Sequence, residues 1–435
     1  MDTVPTEKLS ARVRTVREHQ RLPSLVVAIG SNGTVLTSAS AGLADIDADQ
    51  HATETTPYRI GSITKTFTAT LVLLLARDGR LDLDDPIGRF FPGTVFARVP
   101  IWRLLAHIGG VQREAPVDMW ESMRGPAREE LLAAFGDVEM VAEPGQRMHY
   151  SNLGYAILGQ IIEAVTDQRC PELINTRLLE PLALDSTTWT RPTRAAVGYR
   201  RDPYADLFHP EPDMDQATVG VGGQLWSTVD DLLGWGHALA GGAQQIVPVQ
   251  VTNAMHTMRV MVDTENWTRG WGLGLMLNRL DDRIVSGHTG AMPGFLAGLS
   301  IDRSTRAVVA ALTNVTRGIT IGDLTDSLVL TVAGDDQTDP TPRWEPADLC
   351  PDELRDILGT WWSESDETVF TWRADGLHAH LAASPHTTDT RFRSEGPARY
   401  RAAAGRLEGE RLTIEDRDGQ RMLYWGTYPF NRRPQ

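Results

Sequence analysis

The chain is short of cysteine, of lysine and of long apolar runs, and each shortage excludes a class of protein. Two cysteines, Cys170 and Cys350, among 435 residues cannot make a disulfide framework and are too few for a metal cluster. Nowhere do about 18 apolar residues follow one another, so no segment reads as a bilayer-spanning helix. Positive charge is scarce too. With 57 acidic and 42 basic residues the formal net charge is −15, which argues against binding nucleic acid by neutralising phosphates. What remains is a globular composition, 41% hydrophobic and 23% charged, over a length that suggests at least two domains.

The N-terminus lacks the apolar core close behind a basic start that a secretory leader needs. Its first apolar run, Leu25 to Ile29, follows a charged, helix-like stretch. Two free thiols suit a reducing compartment, so a cytoplasmic protein is expected. Lysine occurs at Lys8 and Lys65 alone, which leaves 42 − 2 = 40 arginines. A desolvated lysine can give up its proton near neutral pH and an arginine cannot. Drift accounts for two scattered lysines, and a need for an amine at position 65 accounts for them equally.

Residues 25–42 alternate around Ser31-Asn32-Gly33 and read as a hairpin. Helical patterns run from Ser62 to Arg77, over residues 100–110 and from Asn152 to Thr166. A glycine-rich loop leads into a further helix within residues 219–240, and strands occupy residues 270–314. The expected domains are 1–335, a linker at 336–353 rich in Pro, Asp and Thr, and an all-β domain at 354–435. Asp375-Gly376 and Asp418-Gly419 are hairpin turn signals in that last part.

Three motifs carry possible chemistry. In Ser62-Ile63-Thr64-Lys65 the i and i+3 side chains share a helix face, which sets a hydroxyl beside an amine able to take its proton. The first turn also offers backbone N–H groups to a developing oxyanion. Taken alone, Ser62 fits a helix N-cap as well. Tyr150-Ser151-Asn152 precedes a helix: a tyrosine near a lysine ammonium ionises more easily and can shuttle a proton. Asn152 fits a substrate-binding amide or another cap, and Tyr150 a half-buried aromatic. The third motif, His288-Thr289-Gly290-Ala291, reads as a strand whose glycine lets a substrate backbone lie close.

Together, S-x-x-K, then Y-S-N, then H-T-G resemble the penicillin-recognising serine hydrolases, and more narrowly their class C β-lactamase and DD-peptidase branch. LLAHIGG, GGQLWSTVDDL and GWGLGL extend the resemblance over roughly residues 10–335. It implies an α/β (α+β) fold: a β-lactamase/transpeptidase-like antiparallel sheet flanked by helices, with a helical subdomain. It further implies Ser62 as acylated nucleophile, Lys65 as its activator and Tyr150 as proton relay. Asn152 would orient the acyl chain, His288 would complete the polar network, and the N–H groups of Ser62 and Ala291 would form the oxyanion hole. Thr289 and Gly290 would bind substrate, with neither metal nor cofactor.

Class C β-lactamases have Lys where this chain has His288, and a neutral His is a poorer carboxylate anchor, so efficient β-lactamase action is not expected. In layout the chain is most similar to the stand-alone penicillin-binding-protein-type thioesterases of nonribosomal peptide pathways, which add a lipocalin-like β-barrel. That resemblance implies a peptide delivered as a carrier-protein phosphopantetheine thioester and released from Ser62 as a macrocycle. A cytosolic esterase, D-aminopeptidase, DD-peptidase-like enzyme or weak β-lactamase is the alternative. Arg432 and Arg433 could reach the cleft to meet a carboxylate or phosphopantetheine, and equally fit a solvated tail. Trp226 and Trp361-Trp362 could line an apolar peptide pocket, and equally fit the core.

Overall fold

The computed structural model describes residues 5–202, 207–332 and 352–433, apart from 365, 374–375, 386–387 and 418–419. The first hairpin pairs Ser24–Ser31 with Thr34–Asp45. Its two-residue turn holds Asn32 and Gly33 at φ of 51° and 79°, the conformation whose twist matches that of the strands it joins.

Ser24–Ser31 lies inside a nine-stranded antiparallel sheet. Thr34–Asp45 and Gln50–His51 lie to one side of it. Ala307–Thr313, Phe295–Asp302, Arg283–Met292, Met276–Leu280, Arg269–Trp271 and Val260–Met261 follow on the other. Every residue of Ser24–Ser31 is buried, because both faces of the sheet are covered. Val26 and Ala28 enter one core with Phe67, Ile157 and Trp235, whereas Val27 and Ile29 enter another with Leu9, Leu324 and Leu328.

Helix Thr64–Arg77 is buried all round from Thr64 to Leu75, the mark of a core helix rather than a surface one. It tolerates its threonines because each hydroxyl finds a carbonyl: Thr66 on Ile63, Thr68 on Val221 and Thr70 on Thr66. The expected helix at 152–166 is observed as Asn152–Thr166, capped by the Ser151 hydroxyl and not by Asn152. The helix expected over 100–110 is confined to Ile101–Leu105. No helix of the described residues is long and apolar enough to cross a membrane.

Eight strands from Gly359–Ser363 to Tyr428–Phe430 follow one another in sequence order as a meander. Paired backbone hydrogen bonds of 2.8 Å between Trp362 and Asn431 bring its two ends together into a nearly closed barrel. Trp361, Phe370, Phe392, Trp425 and Phe430 fill it, a core separate from those of the sheet. Most of the expected linker, Asp375 and the Asp418-Gly419 turn lie outside the described residues. The barrel is seated on the rest of the chain by polar contacts. Glu410 accepts the Arg113 N–H at 2.8 Å and lies 3.0 Å from His149 Nε2, and Arg317 donates to the Glu367 carbonyl at 2.7 Å.

Candidate active site

Ser62 sits in the tight turn Gly61–Ile63 that feeds helix Thr64–Arg77. This turn and strand Arg283–Met292 meet backbone to backbone. A Cβ on Gly290 would stand 1.9 Å from the Ile60 carbonyl, and one on Gly61, at φ 49°, 2.6 Å from the Ala291 N. Only glycine permits that approach. It brings the Ser62 and Ala291 backbones to the same place, with Ala291 exposed and Ser62 half-buried.

Lys65 lies one helical turn on and is 1% exposed. Its Nζ is 3.1 Å from Ser62 Oγ and donates to the Gly222 carbonyl at 2.7 Å. Burial pulls its pKa down to about 7, with Glu114 opposing and Arg113 assisting. The amine and ammonium are therefore both populated at neutral pH.

Tyr150 lies over this amine, its ring centre 5.0 Å from Nζ, with the Ser62 hydroxyl near enough to favour its ionised form. The expectation that Tyr150 ionises easily is corrected. Burial pushes its pKa up to about 12 against the pull of Ser62 and Arg113, so it remains a phenol and Lys65 is the group tuned to neutrality. His107 stacks on the Tyr150 ring at 4.2 Å, and Trp271 and His288 close the nest at 5.8 and 6.3 Å. The His288 Nδ1–H donates to the Thr289 carbonyl at 2.5 Å, which leaves Nε2 as an acceptor. Burial and the Lys65 charge hold its pKa down to about 3, so it is neutral.

Asn152 Nδ2 donates to Glu114 Oε1 at 2.6 Å, and the Tyr428 hydroxyl, from the barrel, donates to the same oxygen. Glu114 is 4% exposed, and its burial raises its pKa despite Arg113 and these two donors. Arg113 lies 3.5 Å from Glu114, with its guanidinium 5.0 Å from the centre of the Tyr150 ring. The fold thus gathers Ser62, Lys65, Tyr150, Asn152, His288 and Ala291 within one cleft. Among the described residues no group of three or more His, Cys, Asp and Glu could hold a metal ion.

Other expected residues fall elsewhere. Thr289 is half-buried on the strand beside the site, its methyl 3.0 Å from where a Cβ on Gly322 would stand in helix Ile321–Val332. Trp226 is 2% exposed, with the Arg59 and Arg191 guanidiniums 5.5 and 5.6 Å from its ring and Phe295 at 5.3 Å. It is core and lines no peptide pocket. Trp361 is buried in the barrel core, and Trp362, its neighbour on the same strand and so on the opposite face, is buried outside that core. Arg432 does not turn to the cleft: its guanidinium stacks 4.1 Å from the Trp361 ring and donates to the Thr360 and Asp356 carbonyls. Arg433 is exposed on the same terminal stretch.

Sequence reasoning missed His107, Arg113, Glu114, Trp271 and Tyr428. His107, Arg113 and Glu114 sit within and just after the LLAHIGG segment, whose two glycines marked a bend at the site. Nothing local distinguishes Tyr428.

Residues 9–333 match the Beta-lactamase family model, and residues 350–432 match a domain of unknown function, DUF7586. Among curated proteins, Protein flp of Staphylococcus aureus (strain MW2) is 29% identical over 208 residues, 45% of this chain. The match spans only 42% of that relative's length. Among solved structures, the D-stereospecific amidohydrolase from Streptomyces sp. is 26% identical. It covers 72% of this chain and 96% of its own, at a TM-score of 0.63. SurE with D-Leu is 25% identical, covering 98% of this chain and 99% of its own, also at 0.63. Because the Beta-lactamase model matches residues 9–333, well over half of the chain, the chain belongs to the Beta-lactamase family.

Proposed function

We propose that the protein is a serine acyl-enzyme hydrolase and acyltransferase. Its substrate is a peptide with a D-residue at the reacting carbonyl, delivered as a carrier-protein phosphopantetheine thioester. Ser62 takes the acyl group and releases it as a head-to-tail macrocycle, in the cytoplasm. One observation carries the chemistry: a buried lysine amine with a near-neutral pKa, 3.1 Å from a serine hydroxyl. The D-residue is supported by the likeness to a D-stereospecific amidohydrolase and to a SurE structure holding D-Leu.

Lys65 as the free amine takes the Ser62 proton while Oγ bonds to the acyl carbon. The oxyanion forms against the N–H groups of Ser62 and Ala291. The leaving sulfur or nitrogen departs with the Tyr150 proton, and the Lys65 ammonium restores the phenol. In the second half the incoming amine bonds to the acyl carbon and yields a proton through Tyr150 and Lys65 to Ser62 Oγ, whose bond to the acyl carbon breaks. Asn152, fixed on Glu114, offers its carbonyl side to the acyl amide. The barrel seam beside Tyr150 favours a tethered amine over water by crowding the approach.

Hydrolysis by the same acyl-enzyme, as an esterase or D-aminopeptidase, is the second reading, favoured by the amidohydrolase likeness. A neutral His288 weighs against efficient β-lactamase action. Incubation with a peptide thioester ending in a D-residue, followed by mass spectrometry, separates the two readings. A product lighter than the linear acid by one water, absent with Ser62→Ala, is expected for the cyclase. Linear acid as sole product from a panel of such peptides overturns cyclisation in favour of hydrolysis.

A further inference from the structure

The loop joining barrel strands Arg399–Ala404 and Arg411–Arg417 reaches onto the segment that carries Tyr150. Arg147 donates to the Glu408 carbonyl at 2.7 Å, and a Cβ on Gly409 would stand 2.7 Å from the Val141 carbonyl. Glu410 holds the Arg113 N–H and His149. The loop is thus clamped at Val141, Arg147 and His149, immediately before Tyr150.

Arg406 stands on this clamped loop. Other arginines of the barrel and its seam are matched by carboxylates: Arg401 and Arg411 by Glu395, Arg147 by Glu408, Arg317 by Asp366. Arg406 is exposed and, among the described residues, makes no hydrogen bond or ion pair. Its charge acts on Tyr150, Tyr428 and Arg113. The crowding of the cleft and the nearby Arg113 cation lower its pKa, with Asp366 opposing. An exposed cation on a clamped loop, with no partner of its own, gains most from an anion supplied from outside.

We propose that Arg406 anchors an anionic oxygen group, carboxylate or phosphate, on the leaving-group side of the acyl donor. The side follows from Tyr150, which protonates the leaving group in the acyl-transfer reading, and the proposal rests on that reading. His288 on the strand beside the site supplies no charge for an anion, because it is neutral and its Nε2 is an acceptor. The barrel thereby contributes a specificity residue to the cleft and is more than a lid.

Three thioesters of one D-terminal acyl peptide test this: on N-acetylcysteamine, which is neutral, on thioglycolate, which adds a carboxylate, and on phosphopantetheine, which adds a phosphate. The readout is the ratio of kcat/KM for each charged thioester to that for the neutral one, in wild type, Arg406→Ala and Arg406→Lys. A wild-type ratio of about ten is expected from one charge-assisted contact, falling to about one in Arg406→Ala and intermediate in Arg406→Lys. Preference for thioglycolate alone identifies a carboxylate-bearing leaving group, and preference for phosphopantetheine alone identifies the carrier arm. Equal rates on all three, a preference that survives Arg406→Ala, or an equal fall on all three overturns the anchor and leaves acyl transfer standing. Failure to turn over even the neutral thioester overturns the acyl-transfer reading and the anchor with it.

Discussion

Lys65 and Arg113 each stand 5.0 Å from the centre of the Tyr150 ring, yet the two walls of the cleft treat them oppositely. Lys65 belongs to the wall made by the core helix, where its hydrogen-bond partners are a hydroxyl and a carbonyl. Burial there outweighs the distant help of Glu114 and brings the amine into the neutral range. Arg113 belongs to the wall shared with the barrel. Burial alone would lower its pKa, but Tyr428 and Glu114 beside it reverse that, and it holds its proton. One wall withholds a carboxylate and so obtains a base. The other supplies one and so keeps a fixed charge. The difference lies in partners as much as in side-chain type, and in the proposed mechanism it gives proton transfer to the helix wall and positioning to the seam.

Making both walls arginine breaks the comparison most severely. Lys65→Arg retains the charge and removes the base, so acylation should fall by on the order of 10³-fold, read by stopped-flow with a chromogenic ester. A rate like wild type would show that the amine is not the base. The pH dependence sharpens the same contrast. Because acylation needs the neutral amine, kcat/KM should rise with pH up to about 7 and then level. A profile flat through that range would remove Lys65 from the role. The smallest effect should come from the seam. Tyr428→Phe takes one donor from the buried Glu114 without touching Lys65, so stability should fall by about 1–2 kcal/mol in urea titration. Turnover should drop only a few-fold, with the pH midpoint unmoved. A midpoint shift as large as that of a change at Lys65 would mean that the walls do not act separately.

Much of the site was legible because its elements are local. Ser62 and Lys65 need only one helical turn to meet, and Gly290 marks a strand with room for a second backbone, which in the fold is that of the turn before Ser62. The hairpin at 24–45, the helix at 152–166 and the all-β character after residue 354 follow from periodicity and turn residues in the same way. Two readings that the sequence left open were decided by packing alone. A tryptophan suits a core as well as a pocket, and Trp226 is core; an arginine suits a ligand or a tail, and Arg432 instead stacks on a ring of its own barrel. Tyr150 lies over Lys65, but the direction of its pKa depends on burial, which no short window reports.

The sequence by itself determined that Ser62 and Lys65 stand side by side and that a glycine-bearing strand accompanies them, because each rests on spacing within a few residues or on backbone room that only glycine supplies. Tertiary structure alone decided which charges those residues carry and what the barrel adds. Desolvation and partner distance are sums over everything that packs nearby. For this cleft that includes Glu114, Tyr428 and Arg406, the first about 50 residues from Ser62 and the others brought from the opposite end of the chain.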